Sequence, residues 1–213
     1  LLGFLLLGVA PNFVGVGGRA PRSPPVPDRR LARLRGDVFD PAAADRLLQA
    51  LGVGEGRTAR IVTIAADVAA DANAAARALA QAALAAGWRP LLLAQVDADE
   101  AQHGGVARPV SFGRAIYSAR KIETEDGPLF VAPSARVRAP HDAHALDATL
   151  AFDLVVVDAG RGDRGARTRQ SGADGACVLR VAERLSDAAA GELVVRLRVP
   201  AACYAGAILR ARN

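Results

Sequence analysis

Residues 62–99 read VTIAADVAADANAAARALAQAALAAGWRPLLLAQVDAD, and this stretch decides the fold class. It begins inside a short apolar run, residues 61–65 (IVTIA), and contains most of a second, residues 90–96 (PLLLAQV). Neither run alternates cleanly between apolar and polar, so each reads as a strand buried on both faces. Between them lies an alanine-rich helix over residues 74–86, followed directly by Gly87, a fitting C-terminal stop.

The same alternation of strand and helix extends outward in both directions. Upstream, Asp40-Pro41 opens a short helix over residues 42–51 with Leu47, Leu48 and Leu51 on one face. Downstream, residues 115–122 read as a short helix and residues 128–132 (PLFVA) as a third strand. Residues 141–150 read as a helix and residues 152–158 (FDLVVVD) as a fourth strand, apolar on both faces. Residues 176–181 give a fifth strand, residues 186–197 a helix and residues 205–209 a sixth strand. The expected architecture is an α/β domain over residues 37–213, a mostly parallel sheet with helices on both faces. Ligand sites in such sheets lie at the carboxyl ends of the strands, which gathers the loops after Ala65, Val96 and Asp158 at one edge.

The chain of 213 residues is expected to hold one domain plus an appendage. Residues 1–10 (LLGFLLLGVA) are almost purely apolar and extend weakly to Val16, short of the ~20 residues that span a bilayer. We expect residues 1–16 to be the end of a membrane helix in a longer chain, with a disordered extension as the alternative; no Met occurs even at position 1. Arg19, Arg22, Arg29, Arg30, Arg33 and Arg35 follow, as on the cytoplasmic side of a membrane segment. Residues 17–36, rich in Pro, Gly and Arg, read as a linker.

With 51% hydrophobic residues the chain can build a core, so wholesale disorder is excluded. The net charge is +5, and Lys121 is the single lysine among 27 basic residues. Such a bias reads as a compositional habit of the source, weak support for a nucleic-acid partner. Cys177 and Cys203 lack metal-ligand spacing and read as core thiols in a reducing compartment. His141 and His144 stand three apart without a third ligand and read as solvated.

The order of these pieces resembles P-loop ATPases of the MinD/ParA superfamily, and within it the bacterial tyrosine-kinase (BY-kinase) domains of exopolysaccharide co-polymerases. The family's VTSAxPGEGKST, NLAxALAxxG and VLLIDAD are matched here by VTIAADVAADAN (62–73), ALAQAALAAG (78–87) and PLLLAQVDAD (90–99). FDLVVVDAGR (152–161) stands for FDYVIIDTPP, VPAACYAGAILRARN (199–213) for VPVLGVVLN, and GPLFVAPS (127–134) for GLxVLPAG. The resemblance covers residues 58–213 and implies a P-loop NTPase-like fold.

The residues that carry the family's chemistry are missing. A phosphate loop needs glycines for a ring of backbone N–H groups, a Lys for the β/γ-phosphates and a hydroxyl for Mg²⁺. Residues 67–73 (DVAADAN) supply none of them. Counted back from Gly87, Ala72 stands in the lysine's place and Asn73 in the hydroxyl's, while Asp67 and Asp71 bring negative charge to the phosphate position. Those carboxylates suit the helix dipole in an anion's stead. Arg77 is a poor stand-in for the lysine. Among the acidic positions, Gln95 and Asp97 match the family's two aspartates after the second strand. Asp158 matches the aspartate that holds the Mg²⁺ water, or serves as an ordinary turn cap.

The resemblance therefore implies an exopolysaccharide or capsule synthesis or export protein with a degenerate nucleotide loop. ATPase or kinase activity is expected to be lost, leaving a regulatory or scaffold partner of a membrane co-polymerase or export complex at the cytoplasmic face of the inner membrane. Self-association and membrane-surface contact are further expected partnerships, and nucleic acid is not expected. No metal or cofactor is expected, with ATP and Mg²⁺ reserved for a site that still functions. Two alternatives stay open. One is an active ATP-dependent tyrosine autokinase with an unconventional loop. The other is a ParA/MinD-like positioning or pilus-assembly module using Arg161, Arg164 and Arg167 of RGDRGARTR (161–169) as anion contacts.

Overall fold

The structure, a computed structural model, describes residues 25–53, 60–94, 108–112, 115–133, 152–161 and 176–211. The elements in chain order are β1 (Arg30–Arg35), β2 (Val38–Phe39), α1 (Pro41–Ala50), β3 (Arg60–Ala66), α2 (Ala69–Ala85), β4 (Pro90–Ala94) and β5 (Arg108–Phe112). Then follow β6 (Ala115–Thr124), β7 (Gly127–Pro133), β8 (Leu154–Asp158), β9 (Ala176–Ala182), α3 (Asp187–Leu197) and β10 (Tyr204–Ala211). The strands form one sheet in the order β2-β1-β10-β9-β3-β8-β4-β7-β6-β5. From β1 to β7 along that order every neighbour is parallel; β2 pairs antiparallel at one end, β6 and β5 at the other. The expected mostly parallel α/β sheet is what the chain forms.

Strands β3, β8 and β4 are buried on both faces because their residues are apolar on both. Val62, Ile64, Leu154, Val156, Leu92 and Leu179 face α1 and α2, with Leu47 and Leu79 from those helices packed among them. On the opposite face lie Ile61, Leu91, Leu93, Val155 and Val157, joined by Phe152, whose ring meets Phe130 edge-on at 5.7 Å. Towards the β9 side of that face, α3 buries Ala190, Leu193 and Val194 against Ala65, Val178 and Tyr204. Helices thus cover both faces. Each fully buried Leu or Ile contributes about 1.5–3 kcal/mol by leaving water.

Three expectations are corrected. Residues 115–122, expected as a helix, are part of the strand β6, which pairs antiparallel with β7. A tight turn at Glu125-Asp126 decides it: Gly127 has φ +123° and Thr124 Oγ1 donates to its carbonyl at 2.7 Å, so the chain reverses and pairs locally. Within residues 17–36, expected as linker, Arg30–Arg35 is the strand β1. Ala32 and Leu34 are buried between exposed arginines and the strand pairs parallel with β10. Its approach is close at Gly206 (φ +146°), where a Cβ would lie 2.5 Å from the Arg29 carbonyl oxygen. Finally, α2 begins at Ala69, not residue 74. Eleven of its seventeen residues are alanine and none is glycine or proline, so the residues expected as a loop join the helix.

The apolar segment 1–16 and the helix expected over 141–150 lie outside the described residues. Among the described residues no helix is long and apolar enough to cross a membrane.

Candidate functional site

Only Asp67 and Val68 separate the end of β3 from the first turn of α2. Beside this joint β8 ends in Asp158, whose alternation with Val157 turns its side chain to the α2 face, where it is 2% exposed. Two backbone bonds stitch the strand ends together, Ala159 N to Ile64 O at 2.8 Å and Ala66 N to Gly160 O at 2.9 Å. The Asp158 carboxylate accepts from Gly160 N at 2.8 Å through Oδ1 and from Asn73 Nδ2 at 3.0 Å through Oδ2. Asn73 Oδ1 in turn accepts from Arg77 Nε at 3.0 Å, one helical turn on.

A second contact closes the helix start from the other side. Asp71, in the first turn of α2, is ion-paired with Arg210 of β10, and Arg210 also lies 3.7 Å from Asp37. Val68 at the N-cap offers no side-chain oxygen, so Asp71 provides the negative charge that the helix terminus favours. Asp37, Asp71, Asn73, Arg77, Asp158 and Arg210 line a cleft of about 720 Å³.

The resemblance in sequence would assign a nucleotide to this cleft, so its fit to a triphosphate with Mg²⁺ can be tested. A two-residue connection cannot wrap successive N–H groups around a β-phosphate. Ala72 is fully buried inside the helix, Asn73's amide is engaged with Asp158, and the Asp71 carboxylate occupies the helix terminus that would attract the anion. Lys121 lies on β6, paired at 2.6 Å with Glu123. The residues present do not fit ATP–Mg²⁺, and no chemical step is derived through it.

Of the residues singled out in the sequence, Asp71, Asn73 and Asp158 meet in this cleft. Ala72 is core, and Arg161 is exposed just beyond the Asp158 turn. Gln95, Asp97, Arg164 and Arg167 lie outside the described residues. Asp37 and Arg210 carried no sequence signal: they reach the cleft from a turn and from a strand two places away from β3 in the sheet.

A second polar cluster went unread, on the opposite face beneath α3. Asp28 and Arg180 form an ion pair with side chains 0% and 5% exposed. Tyr204 Oη donates to Asp28 Oδ1 at 2.6 Å and Ser186 N to Oδ2 at 2.7 Å. Arg180 also donates to the Arg184 carbonyl at 2.8 Å, and Asp28 N donates to Asp187 Oδ1 at 2.8 Å. Burial pushes the Tyr204 phenol well above its usual range, and the adjoining Asp28 carboxylate raises it further. Burial is the largest influence and works against the Arg180 charge, yet hydrogen bonding and charge attraction from Asp28 and Tyr204 together outweigh it and raise the guanidinium's pKa. The one available signal was a charge inside an otherwise apolar strand, ACVLRVA. Protein-family models, curated proteins and solved structures were all compared with this chain, and none matches it.

Proposed function

We propose that this chain is a catalytically silent relative of the BY-kinase domains, serving as a regulatory or scaffold partner in exopolysaccharide synthesis or export at the inner membrane. One observation carries the reading. The segment that would form the phosphate loop is the first turn of α2, and its polar groups bind one another, Asp71 to Arg210 and Asn73 to Asp158. A site whose charges are satisfied internally has neither the cradle nor the lysine that phosphoryl transfer requires. The adjacency of β3, β8 and β4 supports the kinship by bringing the counterparts of the family's strand motifs together in the middle of the sheet. A domain that keeps such a scaffold without the catalytic loop is suited to contact a partner.

Titration with Mg²⁺ and a fluorescent ATP analogue tests the loss of nucleotide binding. No saturable binding is expected up to about 1 mM, the weakest affinity of practical interest. Micromolar affinity abolished by Asp158→Ala, or phosphotyrosine formed on incubation with Mg-ATP, overturns the proposal.

A further inference from the structure

A groove of about 520 Å³ runs along the other flank of α2 and shares only Gln81 with the Asp158 cleft. Its floor is Ala78, Ala82 and Ala85, a row at helical spacing that offers nothing larger than a methyl group. One wall is Val38, Phe39 and Pro41, where β2 turns into α1, and Val38 is 62% exposed. The other wall is the β6–β7 turn, held rigid by the Thr124–Gly127 bond. Ile122, 42% exposed on the same sheet face, continues the apolar surface towards the sheet edge.

The charge lining this groove is of one sign. Asp45 projects from α1, and Glu125 and Asp126 from the turn, with no basic residue among the lining side chains. Among the described residues none of these three carboxylates is in an ion pair. In a chain of net charge +5 such a patch runs against the average.

We propose that this groove docks a basic amphipathic helix of a protein partner. The alanine floor lets a second helix approach α2 closely, and side chains of its apolar edge enter between Phe39 and the turn. Lys or Arg on its flanks meets Asp45, Glu125 and Asp126. The outer side of α3 is a poor occupant, because beside Arg196 it carries Asp187 and Glu192, which would meet like charge. The proposal is independent of whether the Asp158 cleft binds nucleotide.

The test uses the whole chain and a fluorescent amphipathic helix of Leu, Ala and Arg, about 18 residues long so that it can be helical alone. Its counterpart carries Glu in place of Arg. Anisotropy is expected to show saturable binding of the basic helix and none of the acidic one. Glu125→Lys combined with Asp126→Lys, both at exposed turn positions, weakens binding about tenfold or more, and Ala82→Arg does the same by filling the floor. Equal binding of both peptides, no saturable binding, or binding unaltered by both substitutions overturns the proposal. So does a concentration-dependent dimer that Ala82→Arg abolishes, which assigns the groove to a second copy.

Discussion

Two clusters of aspartate and arginine lie on opposite faces of the sheet, and they differ in what surrounds them. Around Asp28, Arg180 and Tyr204, α3 and the segment before β1 exclude water almost wholly. Around Asp71 and Arg210, both side chains stay between a quarter and a third exposed and border a cleft. The first is a rivet, closed off from water, whose carboxylate is fully engaged while Arg180 Nε has no hydrogen-bond partner among the described residues. The second is a part-exposed contact at the mouth of a cleft, a plug whose charges remain open to solvent and salt. The same residue types therefore hold the fold in one place and border a cleft in the other, and burial is what separates them.

Removing one partner of the buried pair should have the largest effect. Arg180→Met leaves Asp28 as an uncompensated charge and is expected to cost about 3–5 kcal/mol of stability in urea unfolding. Asp28→Asn with Arg180→Met should recover part of it. A double variant that costs the sum of Arg180→Met and Asp28→Asn measured singly would mean that the pair is not coupled and that the comparison fails.

Tyr204→Phe removes a donor from Asp28 Oδ1 and is expected to cost about 1–3 kcal/mol. It should also alter the alkaline limb. The folded phenol's pKa lies above its ordinary value of 10.0, so the folded state keeps a proton that the unfolded state loses. Wild-type stability is therefore full below pH 10.0 and falls as pH rises beyond it. Unfolding curves collected across that range should show the decline in wild type and a flatter dependence in Tyr204→Phe; parallel slopes would remove Tyr204 from the rivet.

Asp158 lies between the two extremes, buried like Asp28 but, among the described residues, bonded to neutral groups, Gly160 N–H and the Asn73 amide. Asp158→Asn keeps one acceptor and confronts Asn73 with a second amide, so a cost of about 1 kcal/mol is expected. A loss as large as that of Arg180→Met would place Asp158 with the rivet instead of the plug.

Much of the sheet was legible because burial on both faces leaves a mark in each strand: IVTIA, PLLLA and FDLVVVD have few polar positions to mislead. In β1, RLARLR, the alternation holds only from Ala32 to Arg35 because the pairing shifts between Arg30 and Ala32, and its arginines read as part of a basic linker, since an edge-proximal strand can leave its polar face in water. In β6, Ala115, Ala119 and Ile122 fall at helical spacing, and the turn two residues further on, absent from that pattern, decides for a hairpin. Within the cleft, Asp158 and the Asp71–Asn73 segment were marked by their motif order. Arg210 was not, because its contact with Asp71 spans 139 residues and depends on β10 lying two strands from β3. The Asp28 rivet was hidden for the same reason, joining residues 152 and 176 positions apart.

The most salt-sensitive effect is the most informative about the plug. Asp71→Asn removes the negative end of a part-exposed pair and the favourable charge at the start of α2, terms of about 0.2–1 kcal/mol and 0.3–1 kcal/mol. Both are screened, so the difference from wild type should shrink between low salt and about 1 M salt, where the Debye length is near 3 Å. The buried pair at Asp28 should show no such salt dependence, because ions do not penetrate a site with 0% and 5% exposure. Chemical unfolding with urea, which leaves ionic strength unchanged, separates the two. If Asp71→Asn costs several kcal/mol and is indifferent to salt, then Arg210 is held as rigidly as Arg180, and the cleft is closed by construction and not by a displaceable contact.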